Sequence, residues 1–509
     1  MPINKFMSAE AAVALINDGD TVALIGGGGG LVEASCLHEA VEKRFLSSGH
    51  PRDLTVIHAL GIGDRKTRGM NRFAHEGMVR KVIGGHWVWS PRMQQLAKDN
   101  KIEAYVLPGG VAMQLFREIG AGRPGLLTHV GLGTFLDPRI DGGRMNKAAK
   151  TDLAEVVTID GQELLRYKPF PVNVALIRGS FADRHGNISL DQEPANVDIY
   201  ATALAAHNCG GKVIVQVRTA VEVGALPARA VRVPGALVDA VVVDPCQSMG
   251  YDVVYDPTMS GEIKGPPTPP SAAPFTVRQV IARRAAEELR DGAVLNYGFG
   301  IPDGVAKIVA ERGHLDRYYQ TIEHGTYGGE LLEGTLFGYA RNATAMIDGP
   351  SQFDFYCGGG LDIAFLGFGE IDAVGNVNVS KLGGMTVGPG GFIDIAQNAK
   401  KVVFCGTFDA KGTDLEIGGG RLTIKRNGEV GKLVKEVEQI TYSGREALKR
   451  SQEVIYVTER AVFRLTDMGV TLIEVAPGIN LKKDVLARMQ FEPHIPREPA
   501  GMAAAHFKA

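Results

Sequence analysis

The sequence predicts an α/β protein made of two tandem, repeat-related, doubly wound domains with an interdomain cleft. Three observations predict it. Short β-branched runs alternate with helical stretches along the whole chain. The two halves repeat one pattern of elements. A Pro/Gly-rich segment separates them, and 509 residues are too many for one ordinary core.

The elements follow in order. A helical stretch at 9–15 leads through Asn17-Asp18-Gly19-Asp20 into a strand that ends at the glycine run 26–30. A helical stretch at 31–45 follows, and further strands are expected at 54–58, 172–177, 212–217 and 238–243. Trp87 and Trp89 alternate in Gly84-Gly85-His86-Trp87-Val88-Trp89 and read as a strand face. Residues 261–274 contain Gly265-Pro266-Pro267-Thr268-Pro269-Pro270. Proline removes backbone donors and fixes φ, so this is a linker between domains at 1–260 and 275–509.

After the linker the pattern recurs. A helical stretch at 277–289 leads through Asp291-Gly292 into a strand, the loop Gly298-Phe299-Gly300-Ile301-Pro302 and a helix at 303–312. Phe181-Ala182-Asp183-Arg184-His185-Gly186-Asn187-Ile188 is echoed by Ile371-Asp372-Ala373-Val374-Gly375-Asn376-Val377. Asp183 lies 29 residues before Lys212, and Asp372 lies 29 before Lys401. From Gly19 to Asp183 the first copy uses 164 residues; from Gly292 to Asp372 the second uses 80. The first copy therefore carries an excursion within about 60–165.

Composition excludes several function classes. Fifty-five basic residues balance fifty-seven acidic ones with no basic stripe, which argues against nucleic acid and anionic membrane as partners. No run of about 18 apolar residues suggests a membrane span. The N-terminus lacks a charged region followed by an apolar one, so a cytoplasmic location is expected. Five scattered cysteines without CxxC spacing suggest small buried hydrophobes, not disulfides or zinc. The chain has no HExxH, no GxSxG, no GKS or GKT after a glycine loop, and no third glycine of a dinucleotide fingerprint.

What remains is a carboxylate among glycines. Gln320-Thr321-Ile322-Glu323-His324-Gly325-Thr326-Tyr327-Gly328-Gly329 reads as a strand ending at Glu323 before a glycine turn. Exposed amide N–H groups beside one carboxylate suit acyl chemistry. The corresponding strand of the first copy, 54–58, ends in His58 and Ala59 and has no acid, so the repeat does not require one there. His324 points to the opposite face if strand geometry continues, and no Glu–His dyad is expected. Gly383-Gly384-Met385-Thr386-Val387-Gly388-Pro389-Gly390-Gly391-Phe392-Ile393-Asp394 sets two glycine pairs before a helical stretch, with Lys381 upstream. A helix N-terminus after Gly298 to Pro302 would offer N–H groups to an anion.

Together these segments resemble the family I CoA-transferases. The glutamate-Xaa-glycine turn, the GxGIP loop, the GxGGFxD segment and the tandem halves carry the resemblance. So do Pro108-Gly109-Gly110, Ala121-Gly122-Arg123-Pro124-Gly125 and Thr128-His129-Val130-Gly131-Leu132-Gly133-Thr134-Phe135. The likeness runs from about Lys5 to about Glu492 and is nearest to fused single-chain acetate, propionate and 3-oxoacid CoA-transferases.

The resemblance implies a CoA-transferase-like fold and transfer of CoA from a short-chain acyl-CoA to a carboxylate such as acetate. Glu323 would be the nucleophile in a ping-pong cycle through a glutamyl-CoA thioester. Coenzyme A would be a co-substrate, with no tightly bound cofactor and no metal. Gly298, Phe299, Gly300, Ile301, Pro302, Lys381, Gly388, Gly390 and Gly391 would bind it. Gly28, Gly29, Gly109 and Gly390 are the oxyanion-donor candidates; Gly109 stands where relatives often have a glutamine whose amide serves. Acyl-CoA and short-chain carboxylates would be the partners, and a homo-oligomer, dimer or tetramer, is expected. An acyl-CoA hydrolase and a non-catalytic metabolite-binding protein are the alternatives.

Overall fold

A computed structural model describes residues 3–268 and 275–508; residues 269–274 of the expected linker lie outside the described residues. The chain forms two compact units. The first comprises Met1–Pro266, Ile322–Phe355 and Gly384–Asp394. The second comprises Pro267–Thr321, Tyr356–Gly383 and Ile395–Ala509. The chain first passes between units at Pro266, inside the segment read as a linker. Two stretches of the C-terminal half nevertheless belong to the first unit. Backbone bonds hold them there: the Gly349 N–H donates to the Val197 carbonyl and the Gly390 N–H to the Gly85 carbonyl, each at 2.8 Å.

The first unit is built on a parallel sheet. Its strands are β1 (Thr21–Leu24), β2 (Leu54–His58), β3 (Val79–Gly84), β4 (Glu103–Tyr105), β5 (Val174–Asp183), β6 (Lys212–Val221) and β7 (Ala240–Val243). Their order is β7-β6-β5-β1-β2-β3-β4. Every residue of β1 and β2 is buried, as a parallel sheet covered on both faces requires. The 60–165 excursion supplies β3, β4, the helix Gly109–Gly120 and an antiparallel meander of Leu126–Thr128, Gln162–Tyr167 and Ala154–Ile159.

The sequence reading of Trp87 and Trp89 as a strand face is corrected. Strand β3 ends at Gly84, and 85–90 is loop. Both indoles are buried because that loop folds inward, and the Trp87 backbone N–H donates to the Val387 carbonyl at 2.8 Å. The cysteine reading also changes: only Cys405 is buried, while Cys209 and Cys246 are exposed.

The second unit has its own parallel set: β8 (Val294–Tyr297), β9 (Tyr319–Ile322), β10 (Ile363–Gly367), β11 (Lys401–Cys405) and β12 (Glu453–Val457). Their order, β12-β11-β10-β8-β9, reproduces β7-β6-β5-β1-β2. The antiparallel strands Ala461–Thr466 and Gly469–Val475 extend it.

The registers superimpose residue by residue. Val22 pairs with Val174 and Val56; Leu295 pairs with Ile363 and Gln320. Three residues beyond Val56 and Gln320 stand Ala59 and Glu323. The aspartate echo is also structural. Asp183 accepts the N–H groups of His185 and Asn187 and the Asn187 amide. Asp372 accepts those of Val374 and Asn376 and the Asn376 amide. Each asparagine then accepts a glycine N–H, Gly235 in one unit and Gly444 in the other. Among the described residues no helix is long and apolar enough to cross a membrane.

Candidate active site

Strand β9 delivers Glu323 to the first unit, where its carboxylate meets the loop Gly388-Pro389-Gly390-Gly391. The Gly391 N–H donates to that carboxylate. A side-chain carbon on Gly391 would lie 2.1 Å from Glu323 Oε2 and 3.1 Å from Phe353 Cζ. Only glycine leaves room for a carboxylate flat against the backbone here.

Protein encloses the carboxyl group, although some of the Glu323 residue surface remains accessible. Burial pushes its pKa up to about 7, and the Gly391 N–H opposes part of that rise. A group expected from its ordinary pKa to be fully ionised at neutral pH thus titrates near it. The raised pKa also makes the ionised form more basic, which favours nucleophilic attack.

The neighbouring histidine takes no part. His324 Nε2–H donates to the Gly338 carbonyl at 2.6 Å, and burial pushes its pKa down to about 4. It is a neutral, structural imidazole; strand β9 ends at Ile322, so His324 stands in the turn that follows and not on a strand face.

The 387–391 loop is held by its backbone. The Trp87 N–H donates to Val387, the Gly390 N–H to Gly85 at 2.8 Å, and the Gly109 N–H to the Gly390 carbonyl at 2.7 Å. Gln94 Nε2 donates to the Thr386 carbonyl at 2.6 Å. These bonds change the oxyanion assignment. The N–H groups of Gly390 and Gly109, expected as donors, are already committed to carbonyls. Gly109 is instead a packing position: a side-chain carbon there would lie 3.2 Å from Ala59 O, Gly390 C and Gly391 N.

Gly29 is corrected in the same way, and Gly28 is a close-packing position. A side-chain carbon on Gly28 would overlap the Trp89 indole at 2.0 Å, and one on Gly29 would strike the Thr335 carbonyl oxygen at 2.0 Å. The Gly29 N–H donates to the Gly63 carbonyl at 3.1 Å. These glycines admit neighbouring groups of the protein itself.

The remaining expected CoA contacts divide between the units. Gly388, Gly390 and Gly391 lie in the first, while Gly298 to Pro302 and Lys381 lie in the second. In the second unit, the Gly298 N–H donates to the Phe365 carbonyl at 2.8 Å. The Gly300 N–H donates to Asp303 Oδ2 at 2.9 Å, so the helix Asp303–Glu311 supplies a carboxylate to its own N-terminus. Phe299 is 49 % exposed.

Sequence reasoning gave no role to Asp394 or Phe353. Asp394 is fully buried, and its Oδ2 and Oδ1 accept the Gly110 and Val111 N–H groups at 3.1 Å each. Burial raises its pKa well above the usual carboxylate range; the Gly110 N–H opposes this and the Glu323 charge adds to it. The signal for Asp394 was present, an acid three residues after a glycine pair, but nothing local names its partners.

The chain belongs to the coenzyme A transferase family, in its fused single-chain form. The family model described as Coenzyme A transferase matches residues 6–244. The chain is 43 % identical over 493 residues to the acetate CoA-transferase YdiF of Escherichia coli strain K12, covering 97 % of this chain and 93 % of that one. It is 45 % identical over 500 residues to the caffeate CoA-transferase of Acetobacterium woodii, covering 96 % and 95 %. The crystal structure of the acyl-CoA transferase YdiF of E. coli O157:H7, a thioester complex with CoA, matches with a TM-score of 0.94 at 42 % identity. That match covers 99 % of this chain and 96 % of the other. The protein is an enzyme, a CoA-transferase.

Proposed function

We propose that this enzyme moves CoA from a short-chain acyl-CoA (acetyl, propionyl, butyryl or acetoacetyl) to an acceptor carboxylate such as acetate, with Glu323 as the covalent carrier. The observation that carries the reading is the enclosed Glu323 carboxylate held against the Gly391 N–H. The thioester complex with CoA of the related YdiF supports it.

In this reading a Glu323 oxygen attacks the thioester carbonyl, the C–S bond breaks, and CoA leaves as thiolate from an acyl-glutamyl anhydride. The thiolate then attacks the glutamyl carbonyl, releasing the first carboxylate and leaving a glutamyl-CoA thioester. An acceptor carboxylate reverses these steps and departs as its CoA ester, restoring the Glu323 carboxylate. Charge and atoms balance without net proton transfer. Partial exclusion of water strengthens the N–H contact at the reacting carboxylate and disfavours hydrolysis of the thioester.

Intact mass after mixing with acetyl-CoA tests the reading: a CoA adduct on the Glu323 peptide is expected. CoA release unaffected by added acetate would instead support a hydrolase. The pH dependence follows from the raised pKa. Only the ionised carboxylate attacks, so adduct formation is expected to rise with pH through a midpoint near about 7. Between pH 6 and pH 8 the ionised fraction grows about tenfold. A rate already flat above pH 5.5 would contradict this.

Within the same proposal, Gly298, Phe299, Gly300, Ile301, Pro302 and Lys381 of the second unit are read as CoA-binding residues, as are Gly388, Gly390 and Gly391 of the first. The exposure of Phe299 supports a loop that receives a ligand. Lys381→Ala is expected to raise the acyl-CoA KM about fivefold to tenfold, the scale of one charged hydrogen bond, with kcat changed less than twofold. An unchanged KM in initial-rate assays would remove Lys381 from the site.

A further inference from the structure

The geometry points to Asp394 as a positioning residue for CoA transfer: we infer that it locks the Gly390-Gly391 backbone onto the N-terminus of the helix Gly109–Gly120, so that the Gly391 amide is held at Glu323. The inference rests on the proposed role of Glu323 and adds a device behind it.

A helix N-terminus leaves its first N–H groups without intrahelical acceptors. In Gly109–Gly120 the first three donors all turn to one short stretch of chain. The Gly109 N–H donates to the Gly390 carbonyl at 2.7 Å, the Gly110 N–H to Asp394 Oδ2 and the Val111 N–H to Asp394 Oδ1, both at 3.1 Å. Residues 390–394 thus plug this helix end completely. The Gly391 amide used by Glu323 lies between the two anchoring points, the Gly390 carbonyl and the Asp394 carboxyl group.

Phe353 completes the device. It is fully buried. A side-chain carbon on Gly110 would lie 2.3 Å from its Cδ1 and 2.6 Å from Asp394 Oδ1. The same ring reaches Gly391 at its Cζ end. Phe353 thus lies against both glycines, beside Asp394 at Gly110 and beside Glu323 at Gly391. The absence of a side chain at Gly110 lets Asp394 reach the helix, and its absence at Gly391 lets Glu323 reach the loop. Rotation of the 390–394 backbone would break both carboxylate contacts together. An amide displaced by even about 1 Å loses much of its effect on a reacting group.

The test compares Asp394→Asn and Asp394→Leu with the unaltered enzyme in steady-state CoA transfer, alongside thermal unfolding and intact mass with acetyl-CoA. Asparagine keeps one acceptor and leucine keeps none. The Asn variant is expected to fold, to keep the acyl-CoA KM within about twofold, and to lose at least about tenfold in kcat, with leucine losing more. A folded Asn variant with unchanged kcat overturns the inference. So does a kcat loss no larger than the loss of folded protein. If leucine prevents folding, the Asn variant still decides. Failure of the Glu323 reading has a different signature, the absence of a CoA adduct on the unaltered enzyme, and that result would overturn this inference with it; an adduct on the unaltered enzyme with an unchanged kcat in Asp394→Asn overturns the positioning role alone.

Discussion

Replacement of Glu323 by glutamine is expected to abolish CoA adduct formation, to lower kcat by roughly 10⁴ or more, and to stabilise the folded protein at alkaline pH. The first two effects follow from removing the attacking oxygen anion: the neutral amide keeps the shape of the side chain without its charge. The third follows from burial. The folded-state pKa of Glu323 is about 7 and its ordinary value is 4.5. Between these values the folded protein holds a proton that the unfolded chain has released. Folding stability contributed by this group therefore falls as pH rises through this window, and its full cost is reached above it. The gap sets a ceiling near about 3 kcal/mol, and the residual solvent access reduces the expected cost to about 1–2 kcal/mol. Glutamine has no charge to desolvate. Unfolding scans of the two proteins should coincide near pH 4 and diverge by pH 8, with the variant the more stable. A variant that still forms the adduct, or a stability difference that ignores pH, would refute the argument.

Gly391→Ala should be the next most damaging change. The added methyl carbon would sit 2.1 Å from Glu323 Oε2, far inside contact distance, and 3.1 Å from Phe353. The carboxylate or the loop must move, and the loop is pinned by backbone bonds through Gly390. The carboxylate is therefore the group displaced. A loss of roughly 10²- to 10³-fold in kcat is expected, with stability reduced by about 1–3 kcal/mol. Gly358→Ala is the matched control, since a side-chain carbon there meets nothing within 4 Å. Its kinetics should remain those of the unaltered enzyme. Comparable kinetics for Gly391→Ala would show that the glycine does not hold the carboxylate.

Much of the scaffold was legible because its signals are local. Strand β2 lies at 54–58 as read, since β-branched residues bounded by turn formers favour a strand. The repeat was legible because both copies carry the same turn chemistry. Asp183 and Asp372 each gather their own loop in the same way. The contrast between Ala59 and Glu323 was legible for the same reason, since strand register turns a sequence offset into a spatial equivalence. Trp87 and Trp89 show the opposite case. Their alternation imitates a strand face, but the backbone there donates to Val387, 300 residues further along the chain.

Two features of the site needed the folded chain. The glycines of the site looked alike in sequence, and their partners separate them: Gly29, Gly109 and Gly390, read as oxyanion donors, give their N–H groups to carbonyls, while Gly391, read as CoA-binding, gives its own to Glu323. Any non-proline residue has one N–H and one carbonyl, so sequence cannot say which pairs meet. The pKa of Glu323 depends likewise on what encloses it.

By itself, then, the sequence determined the two α/β copies and the strand that leads into Glu323, because short-range propensity and turn chemistry encode them. Only the tertiary structure decided that Ile322–Phe355 and Gly384–Asp394 join the first unit, that Gly391 is the amide at Glu323, and that Asp394 stands behind it. Those facts rest on backbone bonds and burial between distant residues, and both come into being only when the chain closes on itself.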